Sequence, residues 1–596
     1  MNRGYDRRDS VKKWTFIPAV HLSLSLFAVA ALGGIYYGFF ALDSGRLEQL
    51  FLELSDDVVA LVYMAAIALI GSLVFQWASK MGGVIRFYDS FKYHFLSGSI
   101  LLLGYVCIYK LNTPSFNIIN DEPVISATAS AIYFEDQAGI PIYSDWEEGE
   151  LVIQEIKPDK RPLAMPVLLA SIHALFGYNY QNVFVLNFLL GLTVVLLVYA
   201  VAFHICRNVL GALATALLWA TFPLYFLASL GGGAELLNLA GILMLILLGE
   251  SWLTKGRALD LSGMLFVGVL LAHTRYESAF YVLSCIVLVI VGWIRNRRLL
   301  FPLYLLFIPF LCLPLAWAYR LAQQTDGGAY MKSGVAQDDL FSPSHFYENL
   351  KSMFEFTFDR IEGAGSSPIM SIVASMAIIY LFRSFFLRRP RISQQLSSVS
   401  IAFMSVSVGV LLGVMLLLFY FWGDWTDPVV SRLSLPFFLM ACLLVPVSGI
   451  LASRRAQMLM ILLCALSIVF QVGPRVKEPD AMTSYVERMA VIAMLETLED
   501  VEKLASKRVY THFPQAAYMA GFPSYPIPAS SQSWASLSRR IDKGDELIVF
   551  AISPSLVDTL PELGPSVNVK KNRDPVPLPD NYFLHQFIVS YVSEGN

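Results

Sequence analysis

Two adjacent carboxylic acids, Asp121 and Glu122, are the residues of this sequence best suited to acid–base chemistry. They directly follow an apolar segment and open an amphipathic one. Carboxylates in the first turn of a helix are stabilised by the positive end of its dipole, so helix capping is one interpretation. A carboxylate at the water interface can also take a proton from a hydroxyl group, so a general base is the other. The dipeptide by itself leaves both open.

Cations that could hold a phosphate follow in the chain. Lys157, Lys160 and Arg161 lie in one polar stretch, and Arg432 lies in Ser431-Arg-Leu-Ser-Leu-Pro436. Lysine offers a point charge and arginine a two-pronged donor to phosphate. The alternative for all four is that they reach towards lipid headgroups.

Further ionisable residues stand where apolar runs begin or end. Glu235 follows three glycines, which permit close backbone approach, and either a helix-dipole role or a functional one suits it. Arg275 and Glu277 are two positions apart, and residues so spaced on a helix do not face each other. We therefore expect Arg275 to bind another anion, either a lipid phosphate or a protein carboxylate. Asp424 and Asp427 flank Trp425 and are either ligands or interface residues.

The composition places these residues in a membrane protein. The chain has 596 residues, of which 56% are hydrophobic and 15% charged, whereas soluble domains carry about 25% charged residues. The net charge of −3 and the lack of a compact basic region give no indication of nucleic-acid binding. We predict a polytopic α-helical membrane protein.

Apolar runs long enough to cross about 30 Å of hydrocarbon predict thirteen transmembrane helices, at 16–41, 58–79, 93–112, 181–204, 209–229, 235–252, 260–276, 279–294, 300–320, 368–387, 399–421, 431–452 and 456–472. The run at 163–177 is shorter, and we predict that it is interfacial. With a cytoplasmic N-terminus, the lysine- and arginine-rich connections fall inside, as the positive-inside rule requires. The outer loops 113–180 and 321–367 and the candidate residues then share the non-cytoplasmic face.

The residues after 473 form a second predicted unit. Residues 474–596 lose the long apolar runs and gain proline and charge. Helical spacing covers Met482–Lys507, and strand-like runs follow at Arg508–Thr511, Glu546–Ile552 and Tyr582–Val592. We predict a small extracytoplasmic α/β domain after a transmembrane domain of residues 1–473.

The order of these motifs resembles the GT-C superfamily of membrane glycosyltransferases, which includes lipid A aminoarabinose transferases and protein O-mannosyltransferases. The resemblance rests on the acidic pair, the stretch Lys157-Pro-Asp-Lys-Arg-Pro-Leu-Ala-Met-Pro166 leading into Leu175-Phe-Gly, the later acid Glu235, the turn Thr274-Arg-Tyr-Glu277 and the span that begins near Arg432. It covers most of the region from Thr113 to Phe438. Two departures are the extra spans before the acidic loop and Lys160-Arg-Pro-Leu163, where the family has Lys-Pro-Pro-Leu.

The resemblance implies an inverting transfer of a sugar from a polyprenyl-phosphate donor to a glycan, lipid or protein acceptor in the inner (plasma) membrane. Asp121 matches the catalytic base, Glu122 the second member of the acidic pair, and Glu235 a later acid. A divalent metal is left open as a cofactor. The alternative is a secondary transporter or lipid flippase, although such proteins place ionisable groups near the bilayer midplane and carry inverted repeats.

Overall fold

The computed structural model describes most of the chain. The described residues are 18–39, 44–81, 88–119, 121–147, 150–159, 161–324, 340–358, 366–387, 397–477, 485–499, 507–527, 546–553, 567–571, 575–577 and 583–591.

The described residues form helices over most of their length. The helices are α1 Pro18–Phe39, α2 Ser44–Glu53, α3 Ser55–Met81, α4 Tyr88–Tyr109, α5 Glu122–Glu135, α6 Ala164–Phe176, α7 Asn182–Cys206, α8 Val209–Trp219, α9 Pro223–Leu230, α10 Glu235–Lys255, α11 Ala258–Ala272, α12 Phe280–Asn296, α13 Ile308–Leu311, α14 Leu313–Gln324, α15 Phe346–Phe358, α16 Pro368–Leu387, α17 Ser398–Phe419, α18 Pro428–Ser431, α19 Leu435–Ser448, α20 Arg454–Ser467, α21 Gly473–Lys477, α22 Tyr485–Glu499 and α23 Pro514–Met519. The strands are β1 Gly139–Glu147, β2 Glu150–Pro158, β3 Lys507–Thr511, β4 Ser524–Pro526, β5 Glu546–Ser553, β6 Val567–Lys571, β7 Val576–Pro577 and β8 Phe583–Tyr591.

Fewer helices of the described residues are long and apolar enough to cross a membrane than the thirteen spans that the apolar runs predict. Within the described ranges, six helical segments are long and apolar enough to cross a membrane: Asn182–Cys206, Glu235–Lys255, Tyr276–Asn296, Ser398–Phe419, Pro428–Ser448 and Arg454–Lys477. A seventh is counted if α8 and α9 together form one broken span. The other predicted runs do not meet this criterion in the described part of the chain. The full count of thirteen stays a prediction.

The run at 209–229 illustrates the difference. It was predicted as one span, and in the structure it contains two helices, α8 and α9, which meet at an angle of 71°. Pro223 begins α9, and a proline has no N–H to continue the hydrogen-bond ladder of a preceding helix. The chain therefore turns at Ala220–Phe222. Gly231–Gly233, which follow α9, lie next to the loop that precedes α5.

The buried centre of the membrane domain is α10. It packs against α7, α11, α12, α17 and α19, and its leucine and isoleucine side chains belong to the largest apolar core. Its N-terminal residue, Glu235, is buried at one end of that core. A charged group so placed needs a partner, because an isolated buried charge is strongly unfavourable.

The C-terminal residues and the loop after α4 pack together. Strands β3 to β8 form one sheet in the order β4-β3-β5-β8-β6, with β7 also paired to β8; β3 is parallel to β4 and β5, and the remaining pairs are antiparallel. Strands β1 and β2 form an antiparallel hairpin that the sequence did not predict. Arg508 Nε donates to Asp145 Oδ1 at 3.1 Å, and the Ser524 N–H donates to Ser144 Oγ at 3.1 Å, which joins the sheet to the hairpin. The side of the membrane on which this unit lies stays a prediction.

Candidate active site

A large cavity opens beside the N-terminal ends of α5 and α10. Its volume is about 2070 Å³, whereas sites for drug-sized ligands span roughly 300–1,000 Å³. Six charged side chains line one part of it: Asp121, Arg161, Glu235, Arg275, Glu277 and Arg432. Most of the remaining wall is apolar and comes largely from α1, α12, α14, α17 and α19. The cavity thus combines a charged end with room for a long apolar group.

Asp121 stands at the N-cap position of α5 but does not cap it. Its side chain makes no capping hydrogen bond. Oδ1 instead accepts from Arg161 Nη2 at 2.9 Å, and Oδ2 accepts from Arg432 Nη2. The carboxylate is 30% exposed and lines the cavity. Of the two interpretations of Asp121, this geometry favours a role in the cavity over helix capping.

Arg432 connects Asp121 to Glu235. Its Nη1 donates to Glu235 Oε1 at 3.0 Å, while its Nε is held by the Val429 carbonyl at 2.9 Å. The side chain is only 8% exposed. Arg432 belongs to a short 3₁₀ turn between α18 and α19, and this turn directs the guanidinium towards α5 and α10.

Arg275 extends the same set of ion pairs. Its Nη1 donates to Glu235 Oε1 and its Nε to Glu277 Oε1, both at 2.5 Å. The expectation that Arg275 and Glu277 do not pair with each other is therefore wrong. Arg275 is not helical but extended, with φ −153° and ψ 155°, just before the 3₁₀ turn Tyr276–Ala279, so its side chain can turn back on Glu277. Of the two anions that the sequence left open for Arg275, the structure contains a protein carboxylate, Glu235.

The six groups form one row of alternating sign: Arg161, Asp121, Arg432, Glu235, Arg275 and Glu277. Burial alone would raise the pKa of Asp121, but the charges and hydrogen bonds of Arg432 and Arg161 outweigh it. They hold this pKa well below the usual range of a carboxyl group. A general base works best when its pKa lies near the working pH, so Asp121 is a weak base while both arginines hold it.

Glu122 lies apart from this row. It does not line the cavity and is only 3% exposed. Its Oε2 accepts the backbone N–H of Asn117 at 2.7 Å and that of Gly232 at 2.9 Å. A Cβ atom added at Gly231 would lie 2.8 Å from Glu122 Oε1, so the glycines before α10 allow the backbone to approach this carboxylate. In this arrangement Glu122 joins the loop before α5 to the turn before α10.

The environment of Glu122 makes folding stability depend on pH. Burial raises its pKa to about 7, the Gly232 N–H partly offsets that rise, and the charge of Glu235 adds to it. A carboxyl with a raised folded-state pKa contributes stability that is fully present below its unfolded pKa and lost as the pH rises through the folded one. We expect the melting temperature of the wild type to fall between about pH 4.5 and 7, and that of Glu122→Gln to fall less, since glutamine stays neutral and still accepts both N–H groups. Scanning fluorimetry in detergent measures both curves.

A control for this comparison is Asp424→Asn, which removes an exposed carboxylate elsewhere and should keep the wild-type slope. Equal slopes for the wild type and Glu122→Gln would contradict the role of Glu122 as the titrating group.

The structure separates the predicted cations. Arg161 reaches the cavity, whereas Lys157 is exposed on β2 and does not line it. Lys160 lies outside the described residues. Asp159 lies between the two lysines and was not predicted as a site residue from the sequence. Its side chain is fully buried and accepts from Thr128 Oγ1 and from the Arg161 N–H, both at 2.9 Å, and so helps to position Arg161. The only signal for Asp159 in the sequence was its position as an acidic residue among three cations.

Asp424 and Asp427 organise a turn. Asp424 Oδ1 accepts from Thr426 Oγ1 at 2.7 Å, and Asp427 caps α18 by accepting the Val429 N–H at 2.7 Å. Asp427 also accepts from Trp422 Nε1 at 3.0 Å. Neither aspartate lines the cavity, so their contacts fit the interface interpretation rather than a ligand-binding one.

The cavity residues do not fit a divalent metal in this arrangement. Among the described residues, no group of three or more His, Cys, Asp or Glu side chains could hold a metal ion. Both oxygens of Asp121 accept from arginines, and guanidinium groups at those positions repel a cation.

No family model and no curated protein matches this sequence. The solved structures that match this chain include two of one protein. ArnT from Cupriavidus metallidurans bound to undecaprenyl phosphate has 10% sequence identity and a TM-score of 0.40, over 82% of this chain and 97% of that one. The apo state of the same protein has 11% identity and a TM-score of 0.36, over 76% and 92%. At this level of similarity, the function has to be judged from the residues of the cavity.

Proposed function

We propose that the protein is a membrane glycosyltransferase that moves a sugar from a polyprenyl-phosphate donor to a glycan, lipid or protein acceptor on the non-cytoplasmic face. The observation that carries this proposal is the division of a single cavity into a charged end with three arginines and a long apolar remainder. A polyprenyl phosphate has the same division: an anionic head and an extended hydrocarbon chain.

The apolar part suits the lipid chain. Its walls include Leu24 and Phe27 of α1, Val289 and Ile290 of α12, and Val410 and Leu417 of α17. Apolar surface removed from water contributes roughly 25 cal/mol per Å², and a chain seated between helices also keeps its head at a fixed depth. The lipid chain then contributes most of the binding affinity of the donor, and the charged end of the cavity positions its phosphate.

The charged end suits the chemistry. An acceptor hydroxyl oxygen attacks the anomeric carbon, the bond from that carbon to the phosphate oxygen breaks, and the electron pair stays on the phosphate. Arg161, Arg275 and Arg432 stabilise the negative charge that develops there, since arginine binds phosphate in a two-pronged manner. Asp121 takes the hydroxyl proton. Attack from the face opposite the leaving group gives inversion at the anomeric carbon.

Mass spectrometry of the lipids that copurify with the full chain tests this proposal, followed by a transfer assay with the lipid found. We expect a polyprenyl phosphate or its sugar conjugate in the extract, and release of polyprenyl phosphate on turnover. Movement of the intact lipid between the leaflets of a vesicle without cleavage would instead support the flippase alternative.

Arg275 gives a prediction for donor binding. We expect Arg275→Ala to lower kcat/KM for the donor about 100-fold, as removal of a preorganised charge donor typically does. Arg275→Lys should recover only part, because a point charge replaces a two-pronged donor. Steady-state kinetics with varied donor measures both. Glu277→Gln is the matched control. It removes the carboxylate of the Arg275–Glu277 ion pair and should lower kcat/KM for the donor less than Arg275→Ala does. Normal donor use by both arginine variants would make Arg275 a structural residue only.

A further inference from the structure

The three arginines of the cavity already form ion pairs with carboxylates of the protein. Three guanidinium groups alternate with three carboxylates, and each of the three arginines is bonded to at least one of them. Asp159 also lies 3.5 Å from Arg161. A phosphate that enters this site therefore meets arginines that are already paired and has to compete with a carboxylate for its arginine.

Exchange between the two anions is chemically direct. Carboxylate and phosphate both accept two parallel N–H bonds from one guanidinium, so either can take the place of the other. The cost of displacement from arginine differs between the carboxylates. Glu235 is 5% exposed and is shared by two arginines. If phosphate displaced it, the Glu235 carboxylate would become a buried unpaired charge, and such charges are strongly unfavourable.

Asp121 is the group that can leave at the lowest cost. It is the most exposed of the three carboxylates, at 30% against 5% for Glu235 and 23% for Glu277. Its two partners, Arg161 and Arg432, each bond a different oxygen of the carboxylate, so one phosphate in the place of that carboxylate could touch both. On leaving, Asp121 stays at the cavity surface, where water or an acceptor hydroxyl can reach it.

We propose that the donor phosphate displaces Asp121 from Arg161 and Arg432, and that this displacement creates the general base only when the donor is bound. This inference rests on the proposed function. In the resting protein the two arginines keep Asp121 ionised and weakly basic. Once the phosphate takes their N–H groups, the carboxylate has two free oxygens and a higher affinity for a proton. It then accepts the proton of the hydroxyl that attacks the sugar, and it releases that proton to water as polyprenyl phosphate leaves and the arginines return.

If Asp121 competes with phosphate for the arginines, neutralising Asp121 should strengthen phosphate binding rather than weaken it. Polyprenyl phosphate without a sugar is the probe, and its affinity for the purified full chain is measured in nanodiscs. Asp121→Asn removes the competing charge and should bind the probe roughly 10-fold or more tightly than the wild type, because hydrogen bonds to a charged group are lost from the resting state. If Asp121 instead orients the arginines for phosphate, the same change should weaken binding.

Matched variants separate displacement from a general charge effect. Glu277→Gln removes the same negative charge from the same row but frees Arg275 instead, so it should tighten binding clearly less than Asp121→Asn. Asp424→Asn should leave the affinity unchanged. Neutral polyprenol should bind the wild type and Asp121→Asn equally. Equal tightening by Asp121→Asn and Glu277→Gln, or no tightening by Asp121→Asn, would overturn the inference, whereas failure of the wild type to bind polyprenyl phosphate at all would overturn the proposed function itself.

The wild type offers a second readout that needs no variant at Asp121. The acidic limb of kcat/KM reports the free enzyme and that of kcat the enzyme–substrate complex. Displacement predicts that the kcat limb lies at the higher pH, and coincident limbs would contradict it. Repeating the comparison in Glu122→Gln removes the titration of the neighbouring carboxyl.

Discussion

Asp121→Asn is expected to fold, to retain donor binding and to lose at least about 100-fold in kcat, because asparagine cannot accept the proton of the acceptor hydroxyl. In the structure, the carboxylate lines the cavity and takes no part in capping α5. Helix capping predicts the opposite result, since asparagine caps a helix about as well as aspartate. Single-turnover measurements with saturating donor isolate the chemical step.

Asp424→Asn is the control for this variant. It makes the same change of charge at an exposed aspartate whose side chain accepts hydrogen bonds from Thr426 of its own turn. We expect its kcat to stay within about twofold, as surface substitutions usually have little effect. Near-wild-type turnover by Asp121→Asn would exclude Asp121 as the base.

Arg432 should give the largest combined loss of stability and activity. It is 8% exposed and bonds both Asp121 and Glu235. Removing one partner of a buried ion pair costs about 3–5 kcal/mol, so we expect Arg432→Gln to unfold at a markedly lower temperature and to lose about 100-fold or more in turnover per folded molecule. Thermal unfolding in detergent and donor kinetics measure the two effects separately.

A second substitution tells the two roles of Arg432 apart. Arg432→Gln combined with Glu235→Gln restores the balance of buried charge, so stability should partly recover while turnover stays low. Arg257→Gln is the control away from the cavity, because it breaks a pair with the buried Asp260 and should leave turnover unchanged. Recovery of turnover together with stability in the double variant would mean that Arg432 serves the fold alone.

The sequence by itself determined the class of the protein and much of its secondary structure. Long apolar runs predicted the six candidate spans to within a few residues, for example 399–421 against Ser398–Phe419, because burial in lipid demands an unbroken apolar helix. Strand-like runs near the C-terminus likewise overlap β3, β5 and β8. These signals are local, and local spacing is what a sequence displays.

Only the tertiary structure decided which ionisable residues meet. Asp121 and Arg432 lie far apart in the chain, and nothing in either segment indicates that one bonds the other. Asp121 and Glu122 are neighbours, yet the first lines the cavity and the second lies outside it. Successive residues at the start of a helix point about 100° apart, since a turn holds about 3.6 residues. One carboxylate therefore faces the arginines, and the other faces the backbone of the glycine turn.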